Sequence, residues 1–470
     1  MTLRAIGLPS TGSSASPGRD ASGLNSNAMP PPSTASFDFT LAFAIALVAG
    51  LVVKFWLATR QVRHVARHRD AVPAAFAQAI SLTAHQKAAD YTMAKTRLGM
   101  LEMTWSAAIL LGWTLLGGLD LLNKLLIGRL GTGMWQQLAL LAAFALIGGL
   151  LELPFTLWQT FRLEERFGFN KMTWRLWLAD AVKGVLLAAL IGLPMAALIL
   201  WLMGAAGRLW WLWAWGAWMA FNLLLMLVYP TFIAPLFNKF QPLDDDTLKA
   251  RVNALMQRCG FAAKGLFVMD GSTRSAHANA YFTGFGTSKR VVFYDTLLRQ
   301  LNAGEVEAVL AHELGHFKHR HVIKRMAAMF ALSLAGFALL GWLSGQTWFY
   351  VGLGVHPNMA APNSALAILL FMLAVPVFGF FVAPLPVLIS RRHEFEADAY
   401  AIAQTSGADL AAALLKLYQD NASTLTPDPL HSAFYDSHPP ASQRVSRLMA
   451  MANRPAAHRG AVPPQARAVS

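Results

Sequence analysis

The stretch AHELGHFKHRH, residues 311–321, places four histidines and a glutamate in eleven consecutive positions. Its surroundings, GEVEAVLAHELGHFKHRHVIKRM (304–326), read as one helix. Val306, Val309, Leu310, Leu314 and Phe317 recur at helical spacing, with Glu305 and Glu307 near the start and basic residues at the end. On that helix His312 and His316 lie one turn apart on one face. Two imidazoles so placed can grip a zinc ion, with Glu313 beside them to polarise its water. His319 falls near the same face but about 10 Å further along the axis than His312, too far for a single ion whose nitrogen ligands sit about 2 Å away. His321 points to the opposite side, so both later histidines are expected at the surface, at the membrane edge.

Working outward, the helix is embedded in an apolar chain. The 470 residues are 55% hydrophobic and 14% charged, with a mean hydropathy of +0.42, which places the protein among membrane proteins. Seven runs are long enough to cross a bilayer: roughly 38–58, 101–121, 137–159, 181–203, 209–233, 326–345 and 365–389. A net charge of +14 could suggest nucleic acid, but the positive side chains alternate by loop. The segment after the first span is rich in them (TRQVRHVARHRD, 59–70), the next loop holds only Lys124 and Arg129, and the loop 346–364 holds none. The positive-inside rule then puts the N-terminus outside and the C-terminus and zinc helix in the cytoplasm, with no nucleic-acid partner needed. For a bacterial source this is the inner membrane. Cys259 is the only cysteine, which excludes internal disulfides and cysteine-rich zinc sites. The ends, 1–36 and 453–470, read as disordered tails. Between them, 37–237 reads as a membrane domain of five spans and 238–452 as a metalloprotease domain that includes the last two.

A zinc protease needs a third ligand. One zinc-protease class takes a histidine six residues past the second, but Val322 stands there. The better candidate lies in SRRHEFEADAYAIA (390–403), after the last span. Glu394 and Asp398 share a helical face, so Glu394 can ligate while Asp398 orients a ligand histidine through its other ring nitrogen. Glu396 is a rival that spacing alone leaves open, and Arg391 and Arg392 read as membrane-edge anchors.

At HELGH and RRHEFEADAYA the chain resembles the type I CAAX prenyl proteases, membrane-embedded zinc endopeptidases of the glutamate-ligand class. LEERFGFNK (163–171), SAHANAYFTGFGTSKRVVFYDTLL (275–298) and YDSHPPASQRVSRL (435–448) carry the likeness over roughly 38–450. The resemblance implies Glu394 rather than Glu396 as third ligand, one Zn2+ per chain, and a predominantly α, polytopic fold. In that fold seven transmembrane helices ring a chamber, with the zinc-protease domain, helices plus a small β-hairpin, on the cytoplasmic side. Peptide hydrolysis also needs a proton carrier, Glu313, and an oxyanion donor besides the metal. His438, held before two prolines, is the candidate donor, and the family has a histidine here with that proposed role. Arg444, at the matching position of the family motif, is expected to hold Asp398 or a substrate group.

NAYFTGF and RVVFY read as a hairpin through GFGTSK, whose edge strand can take an extended peptide, and the resemblance implies Asn279 as a contact to the peptide backbone. Glu152 is expected to line the chamber and Asp120 to be interfacial, whereas Glu164 and Glu165 have no derivable role. The partners are a peptide or protein substrate, prenylated or not, and the bilayer. The implied activity is removal of the C-terminal tripeptide after a prenylated cysteine. Two readings stand against it: a quality-control protease without prenyl specificity, and a transporter or channel with a structural metal. The latter is disfavoured because closed zinc sites usually take four protein ligands.

Overall fold

The structure is a computed structural model that describes residues 33–261, 265–283, 290–358 and 361–452. Most of the two sequence-read tails lies outside these residues. At the N-terminal side the tail ends sooner than expected, because Ser33 caps α1 (Thr34–Arg67) by accepting the Ser36 N–H.

In lipid every backbone polar group must be satisfied within its own segment, so the long apolar runs form helices. After α1 come α2 (Leu82–Trp113), α3 (Gly118–Leu130), α4 (Met134–Trp158), α5 (Trp174–Ala205) and α6 (Trp210–Val228). Six helical segments are long and apolar enough to cross a membrane, and α2 with α3, bent by 49°, makes a seventh if the pair is one span. Leu146, Leu186 and Leu190 on these segments are largely exposed, as lipid-facing side chains are. The expected span 101–121 runs across the bend of this pair. Gly117 adopts φ +76°, and a Cβ on Gly118 would sit 2.5 Å from the Gly112 carbonyl, so the GG pair folds the chain where an apolar count sees continuity.

The polar part begins with α7 (Ala234–Phe237), β1 (Phe240–Pro242), α8 (Asp246–Arg258), β2 (Gly265–Met269), β3 (Ala280–Thr283), β4 (Arg290–Tyr294) and α9 (Asp295–Gln300). The expected hairpin is there as the antiparallel β3–β4 pair, with its turn, 284–289, outside the described residues. It belongs to a four-stranded sheet of order β1-β2-β4-β3, in which β2 and β4 run parallel. The sequence reading missed β1 because three residues ending in proline carry no strand signal.

α10 (Ala303–Lys318) opens with a reciprocal cap between Asn302 and Glu305. The expected single helix over 304–326 is corrected here. His319 ends α10, Arg320 takes the left-handed conformation (φ 56°), and α11 (His321–Leu343) starts in a new direction. After α12 (Thr347–Val351), α13 (Ser364–Gly379) stops short of the expected 389: the apolar span ends at Val382, and Pro384 opens α14 (Pro384–Gln404). α15 (Gly407–Asp420), α16 (Pro429–Tyr435) and α17 (Ala441–Ala452) complete the chain. One buried core joins α8, the sheet, α10, α14 and α15 through Leu255, Phe293, Leu310, Ala401 and Leu410.

Within it α10 and α14 pack at very close range. A Cβ on Gly315 would lie 2.9 Å from the Ala397 Cα and 3.0 Å from its carbonyl oxygen. Backbone atoms cannot yield as a flexible side chain can, so Gly315→Ala is expected to destabilise the protein by about 1–3 kcal/mol. Thermal melting in detergent checks this against Gly149→Ala in α4, where an added Cβ meets nothing within 4 Å and the melting temperature should not fall.

Candidate active site

The contact at Gly315 sets the site, because it brings one face of α14 against the histidine face of α10. His312 Nε2 and His316 Nε2 lie 3.3 Å apart. Glu394 on α14 closes the group, with Oε2 3.4 Å from His312 Nε2 and Oε1 3.4 Å from His316 Nε2. The three residues are the group of metal-binding type among the described residues. Glu396 is turned away and takes the His321 Nε2–H at 2.9 Å and Arg392 Nε–H at 3.2 Å.

The donor set fits a small cation. Glu394 Oε2 is buried without a hydrogen-bond partner among the described residues, and two ring nitrogens face each other across 3.3 Å. One ligand atom from each of the three residues lies within 4.8 Å of the other two, close enough for a single ion with ligands about 2 Å away to draw them together. With protons alone, burial pulls His312 down, but the Asp398 and Glu394 carboxylates outweigh it and push it up to about 9. Burial raises the Glu394 carboxyl, yet His312 and His316 hold it well below the usual carboxylate range. Both departures describe a buried anion waiting for positive charge.

Behind these three residues stand two more charged groups. Asp398 Oδ1 lies 2.9 Å from His312 Nδ1, and Arg444 on α17 clasps Asp398 with two bonds, Nε to Oδ2 at 3.0 Å and Nη2 to Oδ1 at 2.6 Å. Asp398 and Arg444 are both buried. Arg444 Nη1 also comes within 3.5 Å of Glu394 Oε2. Glu313 makes no hydrogen bond or ion pair with a described residue and stays partly exposed between the two histidines.

His438 is 61% exposed and reaches Glu394 Oε1 at 3.5 Å through Nε2. Desolvation holds its pKa below the ordinary value, so the ring is neutral near pH 7 and carries one N–H to donate. Its segment is held by Arg391, which the sequence reading left as a membrane-edge anchor. Arg391 donates to the Asp436 carbonyl at 2.9 Å and to Ser432 Oγ at 2.8 Å.

His438, Arg444 and Asn279 line a cavity of about 1350 Å³ whose other walls include Leu47, Leu51 and Leu373 of α1 and α13. Asn279 stands just before β3, at the edge of the sheet, with its Oδ1 taking the Ala280 N–H. The family-like loop 163–171 braces this strand entry. Glu164 takes the Tyr91 hydroxyl at 2.6 Å and comes within 3.6 Å of His277 Nε2, and Phe169 stacks on the His277 ring at 4.5 Å. Glu152 is corrected: it is exposed on α4 and outside the cavity lining, where the acidic residue of the membrane helices is Glu102 of α2. Asp120 takes the His356 backbone N–H and pairs with Lys124.

Of the two late histidines, His321 departs from expectation, whereas His319 stays partly exposed. His321 is 1% exposed, with its Nδ1 3.0 Å from His316 Nδ1, and His319 stacks beside it at 5.5 Å. The left-handed turn at Arg320 rotates His321 back onto the site, and nothing in the residue spacing signals that turn.

Residues 61–239 match the family model described as CAAX prenyl protease N-terminal, five membrane helices, and 242–452 match Peptidase family M48. The chain belongs to the M48 peptidases. It is 36% identical to the CAAX prenyl protease 1 homolog of Arabidopsis thaliana, over 70% of this chain and 75% of that one. The Homo sapiens homolog is 30% identical over 87% and 95% of the respective chains. The crystal structure of S. mikatae Ste24p superimposes with a TM-score of 0.81 at 30% identity, covering 87% of this chain and 99% of that one. The protein is therefore a multi-pass membrane metalloprotease of the M48 fold, and the family implies a metal.

The Asp398–Arg444 pair is deeply desolvated, so Arg444→Met strands a buried carboxylate and is expected to cost about 3–5 kcal/mol. The double variant Arg444→Met with Asp398→Asn should recover part of that loss in thermal or denaturant unfolding; additive losses would show that the two side chains do not stabilise one another.

Proposed function

We propose that this chain is a zinc endopeptidase opening to the cytoplasm, with His312, His316 and Glu394 as ligands of one Zn2+ and Glu313 as general base. The single observation that carries the reading is the cage of two facing imidazole nitrogens and a buried carboxylate whose oxygens come within 3.4 Å of both. Zinc bound there supplies Lewis acidity and makes its water acidic enough to react near neutral pH. Glu313, free of other partners among the described residues, takes the water's proton and passes it to the leaving amine. His438, neutral and facing the cavity, donates its N–H to the carbonyl oxygen as charge grows there. Asp398 holds His312 in the tautomer that leaves Nε2 bare, and Arg444 holds Asp398.

The substrate lies extended along the open edge of β3, with Asn279 contacting its backbone. The cavity exceeds the about 300–1,000 Å³ of ordinary small-molecule sites and joins apolar walls from α1 and α13 to a polar end at Asn279, His438 and Arg444. That combination suits a peptide carrying a lipid, and the relatives named CAAX prenyl proteases support cleavage after a prenylated cysteine as the activity. We read 37–237 as the membrane domain and 238–452 as the protease domain, a division that the meeting of the two family models at 239–242 supports. The loop charges support an outside N-terminus and a cytoplasmic C-terminus.

The test is metal content with peptidase activity in detergent, on a farnesylated CAAX peptide and its unprenylated twin. Glu313→Gln should keep its zinc and lose activity by about 10²–10⁴-fold, whereas His312→Ala, His316→Ala and Glu394→Ala should lose the metal. His438→Ala should keep zinc and lower kcat by about 10²–10³-fold. Zinc loss in Glu313→Gln would reassign that glutamate, and equal cleavage of both peptides would favour a quality-control protease over a prenyl-specific one.

A further inference from the structure

The two ligand histidines are backed differently. His312 meets a carboxylate directly, through Asp398, whereas His316 meets a second imidazole. His316 Nδ1 and His321 Nδ1 are 3.0 Å apart, and His321 Nε2 is 2.9 Å from Glu396 Oε2. Glu396 is tied in turn to Arg392, one helical turn earlier on α14. The His321 ring lies nearly parallel to His393 at 3.9 Å and to His319 at 5.5 Å, which fixes its plane.

A hydrogen count decides which nitrogen carries what. A carboxylate only accepts, so the hydrogen between His321 and Glu396 sits on His321 Nε2. A neutral imidazole has one N–H, so His321 Nδ1 is bare and accepts. The facing His316 Nδ1 must then donate, which leaves His316 Nε2 bare, and that is the atom turned towards His312 and Glu394.

We propose that His321 and Glu396 form a positioning relay, Glu396 to His321 to His316, that fixes the tautomer and ring orientation of His316 for metal binding. The proposal rests on the reading of His312, His316 and Glu394 as ligands. It gives Glu396 a task beside the metal rather than on it, and it explains why α10 stops at His319: a straight helix would carry His321 to the far side.

The test uses full-length protein in detergent, with zinc affinity from chelator competition and the visible spectrum of the Co2+-loaded protein. His321→Asn keeps an acceptor oxygen where Nδ1 stood, and His321→Leu has the same size without it. The leucine variant should bind zinc about 10–100-fold more weakly than the parent and show an altered cobalt spectrum, while the asparagine variant recovers most of both. Equal zinc affinity in the two variants, whether intact or weakened, would overturn the relay, because the acceptor would then not matter. Should His321→Leu fail to fold, Glu396→Met against Glu396→Gln makes the same comparison one bond further out, on a partly exposed residue. There the methionine variant should bind zinc several-fold more weakly than the glutamine variant, and equality would again overturn the relay. A parent that binds neither metal would sink the ligand assignment itself, an outcome distinct from a parent that binds zinc while these variants do not differ.

Discussion

Everything in the site depends on how closely α10 and α14 approach at Gly315. With no side chain there, the Ala397 backbone comes nearer to α10 than any Cβ at 315 would allow, so the two helices pack backbone against backbone at that point. That spacing lets the short arm of Glu394 meet His312 and His316, and lets Asp398, one turn later, reach the back of His312. A wider gap would leave the same residues in the same order and no cage.

Closeness of this kind concentrates charge out of water, which is costly unless each group is paired. The pairing is layered. Arg444 clasps Asp398 and leans on Glu394, Asp398 backs His312, and His321 with Glu396 backs His316. The capping glutamate of α10, Glu305, is held by Lys416 of α15 at 2.7 Å, so the start of the helix is anchored as well as its metal face. The side chains of the cage therefore stand already oriented, which is what a metal site needs if little is to be reorganised on binding.

The membrane part contributes more than an anchor. Arg60 and Gln61, near the end of α1, hold Asp428 at the head of α16, through two guanidinium bonds and one backbone bond. Arg391, three residues before Glu394 on α14, also holds this segment, and His438 follows it. The segment that presents His438 is thus braced between a membrane-spanning helix and the metal-site helix. The cavity between them inherits apolar walls from one and polar chemistry from the other.

Much of this was legible in the residues themselves. Apolar runs state where backbone must be helical in lipid, because hydropathy is an additive property of local composition. His312 and His316 share a face for the same reason, a fixed helical repeat over one turn, and Glu394 with Asp398 repeats the argument. Three of the misread parts are places where the chain changes direction: the GG bend between α2 and α3, the stop before Pro384, and above all the left-handed Arg320. A single backbone dihedral there turned His321 from an expected surface residue into a buried neighbour of His316, and only packing against His393 and Glu396 makes that dihedral worth its strain. Periodicity determined which side chains share a helix face; which faces meet, and what stands behind them, was decided by tertiary contacts, because those depend on distances between segments that no local repeat encodes.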